Sequence, residues 1–395
     1  MKKIYLDYAA TTPLDPGVER AMRPYFTAVF GNPGSLHRFG QEAAQAVYHS
    51  RRIIAKAIGA KTEEIVFTGS ATEANNLVLR GLIQKSKIKN QSHHSPLKII
   101  TTVIEHESIL ETARNLEKQA VEVVYLPVNQ GGLVNLEKLK AALDERTILV
   151  SIQYANSEIG VIQPIKEIAG IIKGFDEKIL FHTDAVQAFP FLPCAVNQLG
   201  VDSMTLSAHK IYGPKGIGLI YIRMTGPISP IDPIITGGGQ ERGFRSGTEN
   251  VTAIVGFGKA VELIAGRRQS EKRRIKKLRD YLWRQLKRIF PQSEINGEAA
   301  LAGDGSEKRL PNNLNLYLPG KSAQDWCLEL DLSGVAVSPG TACSAHTARP
   351  SYVIEAMGFA GDRPRSSVRF VLGRPTTKSD IDKTLKIIKN LTINQ

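Results

Sequence analysis

Short apolar runs alternate with helical patterns between about residues 60 and 223 of this 395-residue chain. The runs lie at 64–68, 98–103, 121–126, 147–152, 178–182, 201–206 and 216–223, and helical patterns such as 71–82 and 108–118 separate most of them. Such alternation predicts an α/β domain whose mostly parallel central sheet is flanked by helices. Ligands bind such sheets beyond the carboxyl ends of the strands, so the chemistry is expected there.

The pattern changes after a long helix that ends near Phe290. The remaining apolar segments are short and mixed, at 313–318, 322–330, 335–338, 351–357, 367–372 and 379–391. They predict a smaller α+β domain beside the large one. We therefore expect a large domain at 13–262 and a small domain formed by 1–12 and 263–395, with the first dozen residues reaching back to it as a strand or arm.

Much of the net charge of +13 comes from residues 267–288, which contain eleven Lys and Arg but only two acids. The apolar residues of this segment recur at spacings of three and four, which predicts an amphipathic helix with a basic outer face. A solvated face is the favoured interpretation, and a docking surface for an acidic protein or for RNA is the alternative. Its aromatic residues do not interleave with the charges as a stacking platform for bases would require, so direct binding of nucleic acid is not expected.

The three cysteines form neither a CxxC pair nor a zinc-binding spacing. An odd and sparse set argues against a disulfide framework, and the eight scattered histidines predict no metal site. No apolar run approaches the roughly 18 residues that a membrane span needs. Asp7 interrupts what could otherwise resemble a signal peptide after Met1-Lys2-Lys3, so a cytoplasmic location is expected.

A glycine followed by small hydroxyl residues, Gly69-Ser70-Ala71-Thr72-Glu73, ends one predicted strand and opens a helix. Ser70 and Glu73 have the spacing of a capping box. The free N–H groups and the dipole of such a helix start also favour an anion. Simple capping and a phosphate site are equally compatible with this segment taken alone.

Two further polar residues follow predicted strands. Asp184 comes after 178–182, where its carboxylate could either cap a turn or hold the N–H of a protonated pyridine ring. Lys210 follows 201–206 and precedes a Gly/Pro turn, where desolvation could make it a nucleophilic amine. A phosphate cup, an acid and a lysine at three strand ends together match the needs of pyridoxal 5'-phosphate.

With these residues the chain resembles a cysteine desulfurase of the NifS/IscS type, within the class V aminotransferase family of fold-type I pyridoxal-phosphate enzymes. The matching segments run through nearly the whole chain, at 5–12, 31–33, 72–73, 105–106, 158–160, 209–216, 245–248, 342–344 and 367–370. Their joint specificity is high, although each alone is a weak signal.

The resemblance implies a role for each matching residue. Lys210 corresponds to the lysine that bonds to the cofactor, Asp184 to the partner of its ring nitrogen, and His106 to the catalytic histidine stacked on the ring. Gln187 corresponds to the residue that hydrogen-bonds the ring oxygen. The phosphate binders correspond to Ala71, Thr72, Ser207 and His209, with Thr248 reaching in from the other subunit of a homodimer. Arg369 corresponds to the arginine that grips the substrate carboxylate, assisted by Asn32.

Cys343 lies in the small and polar stretch 338–346, which indicates a reactive thiol rather than a buried one. Cys194 and Cys327 have the apolar surroundings of inert cysteines. The family usually has a second Asn beside the cofactor where this chain has Ser157, which keeps a hydroxyl but loses an amide group. Because the last predicted helix is followed by only a few residues up to Gln395, we expect the chain to lack the longer tail by which IscS-type proteins bind their scaffold partner.

The resemblance implies conversion of L-cysteine to L-alanine, with the sulfur held as a persulfide on Cys343. The expected acceptors are iron–sulfur scaffold proteins or tRNA-thiolation enzymes. A transaminase of the same fold would need Lys210 but not Cys343. A sulfur carrier or scaffold without catalysis would leave the cofactor-binding residues without a purpose.

Overall fold

A computed structural model describes residues 3–89, 96–224, 230–298, 308–340 and 349–393 of the chain. The helices are α1 (Pro16–Met22), α2 (Pro24–Thr27), α3 (Arg38–Ile58), α4 (Ala71–Lys89), α5 (Glu107–Glu117), α6 (Leu136–Ala142), α7 (Ile165–Phe175), α8 (Val196–Leu199), α9 (Val251–Ile289), α10 (Ala323–Leu332), α11 (Tyr352–Ala356) and α12 (Lys378–Ile393).

The strands are β1 (Ile4–Tyr5), β2 (Ile65–Thr68), β3 (Lys98–Thr102), β4 (Glu122–Leu126), β5 (Thr147–Ser151), β6 (Leu180–Asp184), β7 (Ser203–Ser207), β8 (Gly218–Ile222), β9 (Glu294–Ile295), β10 (Asn313–Tyr317), β11 (Val335–Ala336) and β12 (Ser367–Val371). Strands β2 to β8 form one sheet in the order β2-β8-β7-β6-β5-β3-β4. Strands β3 to β7 are parallel, and β8 runs antiparallel to both of its neighbours. The predicted mostly parallel sheet is therefore confirmed.

A second sheet in the order β12-β10-β9 is antiparallel, and β1 pairs in parallel with β11. The bridge from Asp7 to Val371 carries the N-terminal segment on to β12. Helix α9 runs without interruption through residues 262 and 263, where the predicted domains meet. One buried apolar cluster includes Phe181 of β6 and Leu316 of β10, so both sheets contribute to it. The domain division stays a prediction.

The basic half of α9 forms the amphipathic helix that its periodicity predicts. Ile275, Leu282 and Leu286 are buried, whereas basic residues such as Arg273 and Arg284 are exposed. None of the helices within the described ranges combines the length and apolar character needed to cross a membrane. In the same ranges, no group of three His, Cys, Asp or Glu side chains is placed to hold a metal ion.

A buried ion pair ties α3 to the first strand of the large sheet. The guanidinium of Arg51 donates to both carboxylate oxygens of Glu241, at 2.7 and 2.6 Å, and to the carbonyl of Ile65. Glu241 also accepts the backbone N–H of Phe67, whose ring lies under Arg51 at 4.7 Å. Both charges are almost fully buried, so each depends on the other for compensation.

We expect Arg51→Met to lower the free energy of unfolding by about 3–5 kcal/mol, because it leaves the Glu241 carboxylate buried without a counter-charge. Adding Glu241→Gln to that variant should recover part of the loss, since the uncompensated charge is then gone. Urea unfolding of the two single variants and the double variant measures the coupling. Strictly additive losses would contradict this account.

Candidate active site

A cavity of about 300 Å³ lies at the carboxyl ends of the parallel strands. It brings together most of the residues predicted to act on cofactor or substrate, namely Ala71, Thr72, His106, Ser157, Asp184, Gln187, His209, Lys210 and Arg369. The topology explains the meeting, because β5, β6 and β7 are parallel neighbours and their carboxyl ends share one edge of the sheet.

One end of the cavity is formed by the start of α4. Ser70 accepts the N–H of Glu73, as a capping box requires, but the Glu73 carboxylate accepts the N–H of Gly69 rather than that of Ser70. The first-turn N–H groups of Ala71 and Thr72 have no partner within the helix and are available to an anion. A Cβ at Gly218 would lie 2.5 Å from the Ser70 carbonyl carbon, so only glycine permits this close approach.

Asp184 ends β6 and enters a chain of hydrogen bonds that the sequence did not reveal. One of its carboxylate oxygens accepts the N–H of Val186 at 3.0 Å, and the other accepts the Asn75 amide at 2.9 Å. The same Asn75 amide donates to the Ser108 hydroxyl at 2.8 Å. Asn75 is a fully buried residue of α4, so its hydrogen bond fixes the Asp184 carboxylate relative to α4, whose first turn forms one end of the cavity.

His106 completes this chain. Its Nδ1 accepts the backbone N–H of Ser108 at 3.1 Å and lies 2.9 Å from the Ser108 hydroxyl. Burial is the largest cause that lowers the pKa of His106, and the charge of Lys210 lowers it further, while Asp184 opposes both. The ring is therefore neutral near pH 7, and because Nδ1 accepts, its proton sits on Nε2.

Lys210 closes a 3₁₀ turn (Ala208–Lys210) directly after β7. Its ammonium donates to the carbonyls of Ala9 and Ala10 at 2.5 and 2.7 Å, so the N-terminal segment forms one wall of the cavity. Gln187 donates to the Ala9 carbonyl as well, at 3.1 Å. Burial, together with the charges of Lys210 and Lys215, lowers the pKa of His209 to about 4, which keeps that ring neutral.

Arg369 lies on β12 and reaches the cavity from the second sheet. Its Nη2 donates to Asp7 at 2.7 Å and its Nη1 donates to the carbonyl of Ser157 at 3.0 Å. Its Nε is buried and has no hydrogen-bond partner in the described part of the chain. A planar cation with an unused donor beside a cavity is suited to a carboxylate ligand.

Three predicted site residues do not line this cavity. Ser207 is buried at the end of β7, and Asn32 is exposed with its side chain accepting the N–H of Gly34. Thr248 is exposed and lines a neighbouring cavity together with Thr68 and Gly69. Their roles, including the reach of Thr248 into another subunit, stay predictions.

Cys343 lies outside the described residues, so its position and surroundings stay a prediction. Burial raises the pKa of Cys194 to about 12 and that of Cys327 to about 12. Neither of these two thiols ionises near neutral pH, in agreement with their interpretation as inert cysteines.

The fold and this cavity define a fold-type I enzyme dependent on pyridoxal phosphate, and comparisons with known proteins agree. The family described as "Aminotransferase class-V" matches residues 4–384, and the chain belongs to it. It is 44% identical to "Cysteine desulfurase IscS" of Dictyoglomus turgidum over 390 residues, covering 99% of this chain and 94% of that protein.

Solved structures give the same result. A structure titled "NIFS-LIKE PROTEIN" superposes with a TM-score of 0.90 at 35% identity, covering 100% of both chains. "SspA in complex with cysteine" has a TM-score of 0.79 at 34% identity, covering 93% of this chain and 98% of that one. The resemblance to NifS/IscS-type desulfurases is therefore confirmed.

The cofactor of this family is pyridoxal 5'-phosphate, and the cavity fits it. The open N–H groups above Gly218 suit the phosphate, Asp184 suits the ring nitrogen, and Lys210 supplies the amine that bonds to the aldehyde. Arg369 with its unpartnered Nε lies elsewhere on the cavity wall and is left for the substrate.

We expect Asn75→Ala to weaken binding of pyridoxal phosphate by about tenfold, because the Asp184 carboxylate loses the side-chain donor that orients it. Titration of the cofactor-free protein, followed by absorbance, measures the change. Asn76→Ala, one residue along the same helix, is the control and should leave the affinity unaltered. Equal losses in both variants would show a general effect on α4.

Proposed function

We propose that this chain is a cysteine desulfurase that converts L-cysteine to L-alanine and leaves the sulfur as a persulfide on Cys343. The observation that carries the proposal is the convergence of Lys210, Asp184, His106 and Arg369 on one cavity of a chain 44% identical to a cysteine desulfurase over nearly its full length. The reaction needs no external oxidant or reductant, because cysteine and a thiol yield alanine and a persulfide.

Bound pyridoxal phosphate supplies an aldehyde that joins to amines and a protonated ring that withdraws electrons from the bonds of the substrate Cα. Asp184 keeps the ring nitrogen protonated, with Asn75 holding the carboxylate in place. Lys210 would hold the cofactor through its amine and, once released from it, would be placed to take the Cα proton of the substrate. His106, which is neutral and protonated at Nε2, could donate or relay a proton within the cavity.

Arg369 binds the substrate carboxylate through its free Nε edge and thereby sets the orientation of the thiol. The Ser157 carbonyl and Asp7 hold the guanidinium from behind. Ser157 contacts Arg369 through its backbone carbonyl, a contact that does not depend on whether the side chain is a serine or the amide usual in the family.

The Cys343 thiolate attacks the sulfur of the substrate. The new S–S bond forms as the substrate Cβ–S bond breaks, and the electron pair of that bond stays with Cβ. Protonation of Cβ and of Cα would then give alanine, and its release would leave Lys210 free to hold the cofactor again. This role of Cys343 rests on the family's motif and on the raised pKa of the other two thiols.

The persulfide is then passed to an acceptor protein, an iron–sulfur scaffold or a tRNA-thiolation enzyme. We further propose a homodimer in which Thr248 of each subunit contributes to the phosphate site of the other. The exposure of Thr248 next to Gly69, at the phosphate end, supports this. A reactive thiol is best maintained in a reducing compartment, which supports a cytoplasmic location.

We expect Lys210→Ala to abolish turnover and the covalent bond to the cofactor, because Lys210 is the lysine that lines the cavity. Borohydride reduction followed by peptide mapping should place the cofactor on Lys210 in the native enzyme and nowhere on the variant. Lys215→Ala removes an exposed lysine of the same turn and should keep the bond. Cofactor that remains trappable on the Lys210 variant would overturn the assignment.

We expect Cys343→Ser to keep the bound cofactor and its yellow colour but to lose sulfur release by at least two orders of magnitude, because a serine hydroxyl is not ionised near neutral pH. Digestion after one turnover with labelled cysteine should find the label on Cys343 of the native enzyme. Cys327→Ser is the matched control and should retain activity.

Two results of that experiment would return the transaminase to the leading position. One is label on Cys194 or Cys327 instead of Cys343. The other is full alanine production by the Cys343→Ser variant. Either would remove Cys343 from the reaction without affecting the assignment of the cofactor site.

A further inference from the structure

Glu158 is a fully buried carboxylic acid that the proposed reaction does not use. One carboxyl oxygen accepts the hydroxyl hydrogen of Ser351, which precedes α11. The other, Oε2, is buried and has no partner among the described residues. A Cβ at Gly340 would lie 2.9 Å from this carboxyl group, so the chain packs closely around it. An unpartnered buried acceptor is costly, which makes its position informative.

The charge of Arg369 acts on Glu158 through an electrostatic interaction, without a hydrogen bond between the two side chains among the described residues. Arg369 has a buried donor, its Nε, that has no hydrogen-bond partner among the described residues, just as Oε2 of Glu158 has none. Its other two nitrogens are bound to Asp7 and to the carbonyl of Ser157, the residue before Glu158. A buried acid thus stands beside the guanidinium without neutralising it through a direct contact.

We propose that Glu158 is a positioning residue that sets the affinity of Arg369 for the substrate carboxylate: neutral Glu158 leaves the guanidinium available, and ionised Glu158 competes with the substrate for it. The inference rests on the proposed function of Arg369 as the carboxylate-binding residue. It adds the requirement that Glu158 be protonated when the substrate carboxylate binds.

The charges around Glu158 support this balance. Asp7 on the N-terminal segment already forms an ion pair with Arg369. The Glu158 backbone carbonyl accepts the neutral amides of Asn313 and Asn315 on β10. On the far side, Arg309 donates to the Ile159 carbonyl rather than to the acid. When Glu158 is neutral, the charges of Arg369 and Asp7 cancel, and the substrate carboxylate is the one added negative charge. When Glu158 is ionised, the substrate carboxylate is repelled by a second negative charge, that of Glu158.

The ionisation of Glu158 changes within the physiological range of pH. Burial raises the pKa of Glu158 to about 7, while the Ser351 hydroxyl and the charge of Arg369 act in the opposite direction. Below pH 7 the acid is neutral and the substrate carboxylate binds fully; above pH 7 binding must be accompanied by proton uptake or suffer repulsion. Reciprocity requires that a bound carboxylate raise the pKa of Glu158 further.

The test compares the native holoenzyme with Glu158→Gln, which keeps the size and the acceptor for Ser351 but cannot ionise. L-alanine, the product, probes the carboxylate site without reacting as a thiol, and ethylamine is the same molecule without the carboxylate. Isothermal titration calorimetry between pH 6 and pH 8.5 gives the dissociation constants. Buffers of different ionisation enthalpy give the protons taken up on binding.

We expect the ratio of the native to the variant dissociation constant for L-alanine to rise from about one at pH 6 to about ten at pH 8.5, on the order expected for one added charge at intermediate dielectric. Only the native enzyme should take up the additional proton. For ethylamine the ratio should stay near one throughout. Ser351→Ala, which removes a hydrogen bond to the ionised form, should move the native rise to higher pH.

A ratio for L-alanine that does not change with pH would overturn the proposal, as would an equal change for ethylamine, which would show a general distortion of the site. If Glu158→Gln does not fold, an unshifted midpoint in Ser351→Ala has the same consequence. Failure of the native holoenzyme to bind L-alanine at any pH would instead overturn the proposed function, and with it this inference.

Discussion

The ion pair between Asp7 and Arg369 holds together the parts of the chain that form the substrate end of the cavity. Arg369 is almost completely buried on β12, where an unpaired guanidinium would be strongly unfavourable. The N-terminal segment supplies the counter-charge after β1 has paired with β11. The loop after β5 supplies the Ser157 carbonyl. Three segments that are distant in sequence therefore meet at one side chain.

The same N-terminal segment serves the cofactor end. The carbonyls of Ala9 and Ala10 accept the Lys210 ammonium, and Gln187 donates to Ala9. A segment of about a dozen residues thus contacts the lysine that would bond to the cofactor and the arginine that would bind the substrate. Because these carbonyls are acceptors only, they bind the Lys210 ammonium and fix its position against this wall of the cavity.

Burial, more than charge pairing, sets the protonation states around the cavity. His106 and His209 are kept neutral mainly because a charged ring would lose its hydration, and the same cause raises the pKa of Glu105 to about 8. These groups surround a site meant for a phosphate and a protonated ring. Because the two histidine rings are neutral, they add no positive charge beside Lys210 and Asp184. The cofactor would therefore be bound by oriented hydrogen-bond donors rather than by additional charged side chains.

Sequence reasoning predicted the strands and the residues at their ends because both depend on local pattern. Asp184 and Lys210 follow apolar runs whose alternation with helical patterns predicts strands of a parallel sheet, and the topology of such a sheet brings the ends of those strands together. The roles of Asn75, Ser108 and Glu158 could not be predicted, since they arise from contacts between segments at least 33 residues apart. The Glu73 carboxylate differs from the predicted capping box because Gly69 and Arg245 offer it better donors.

The cofactor half and the substrate half of the site should respond differently to substitutions, because they depend on different parts of the fold. The cofactor half is built mainly on neighbouring strands and on α4, so its geometry is set by the seven-stranded sheet and the helix packed on it. The substrate half depends on Arg369, which is fixed by Asp7, by the Ser157 carbonyl and by backbone bonds to Ser338. A shift of the second sheet relative to the first would move Arg369 while leaving Asp184 and Lys210 in place. Substitutions where the two sheets meet should therefore alter the affinity for the substrate carboxylate more than the affinity for the cofactor. Glu158 lies at this junction.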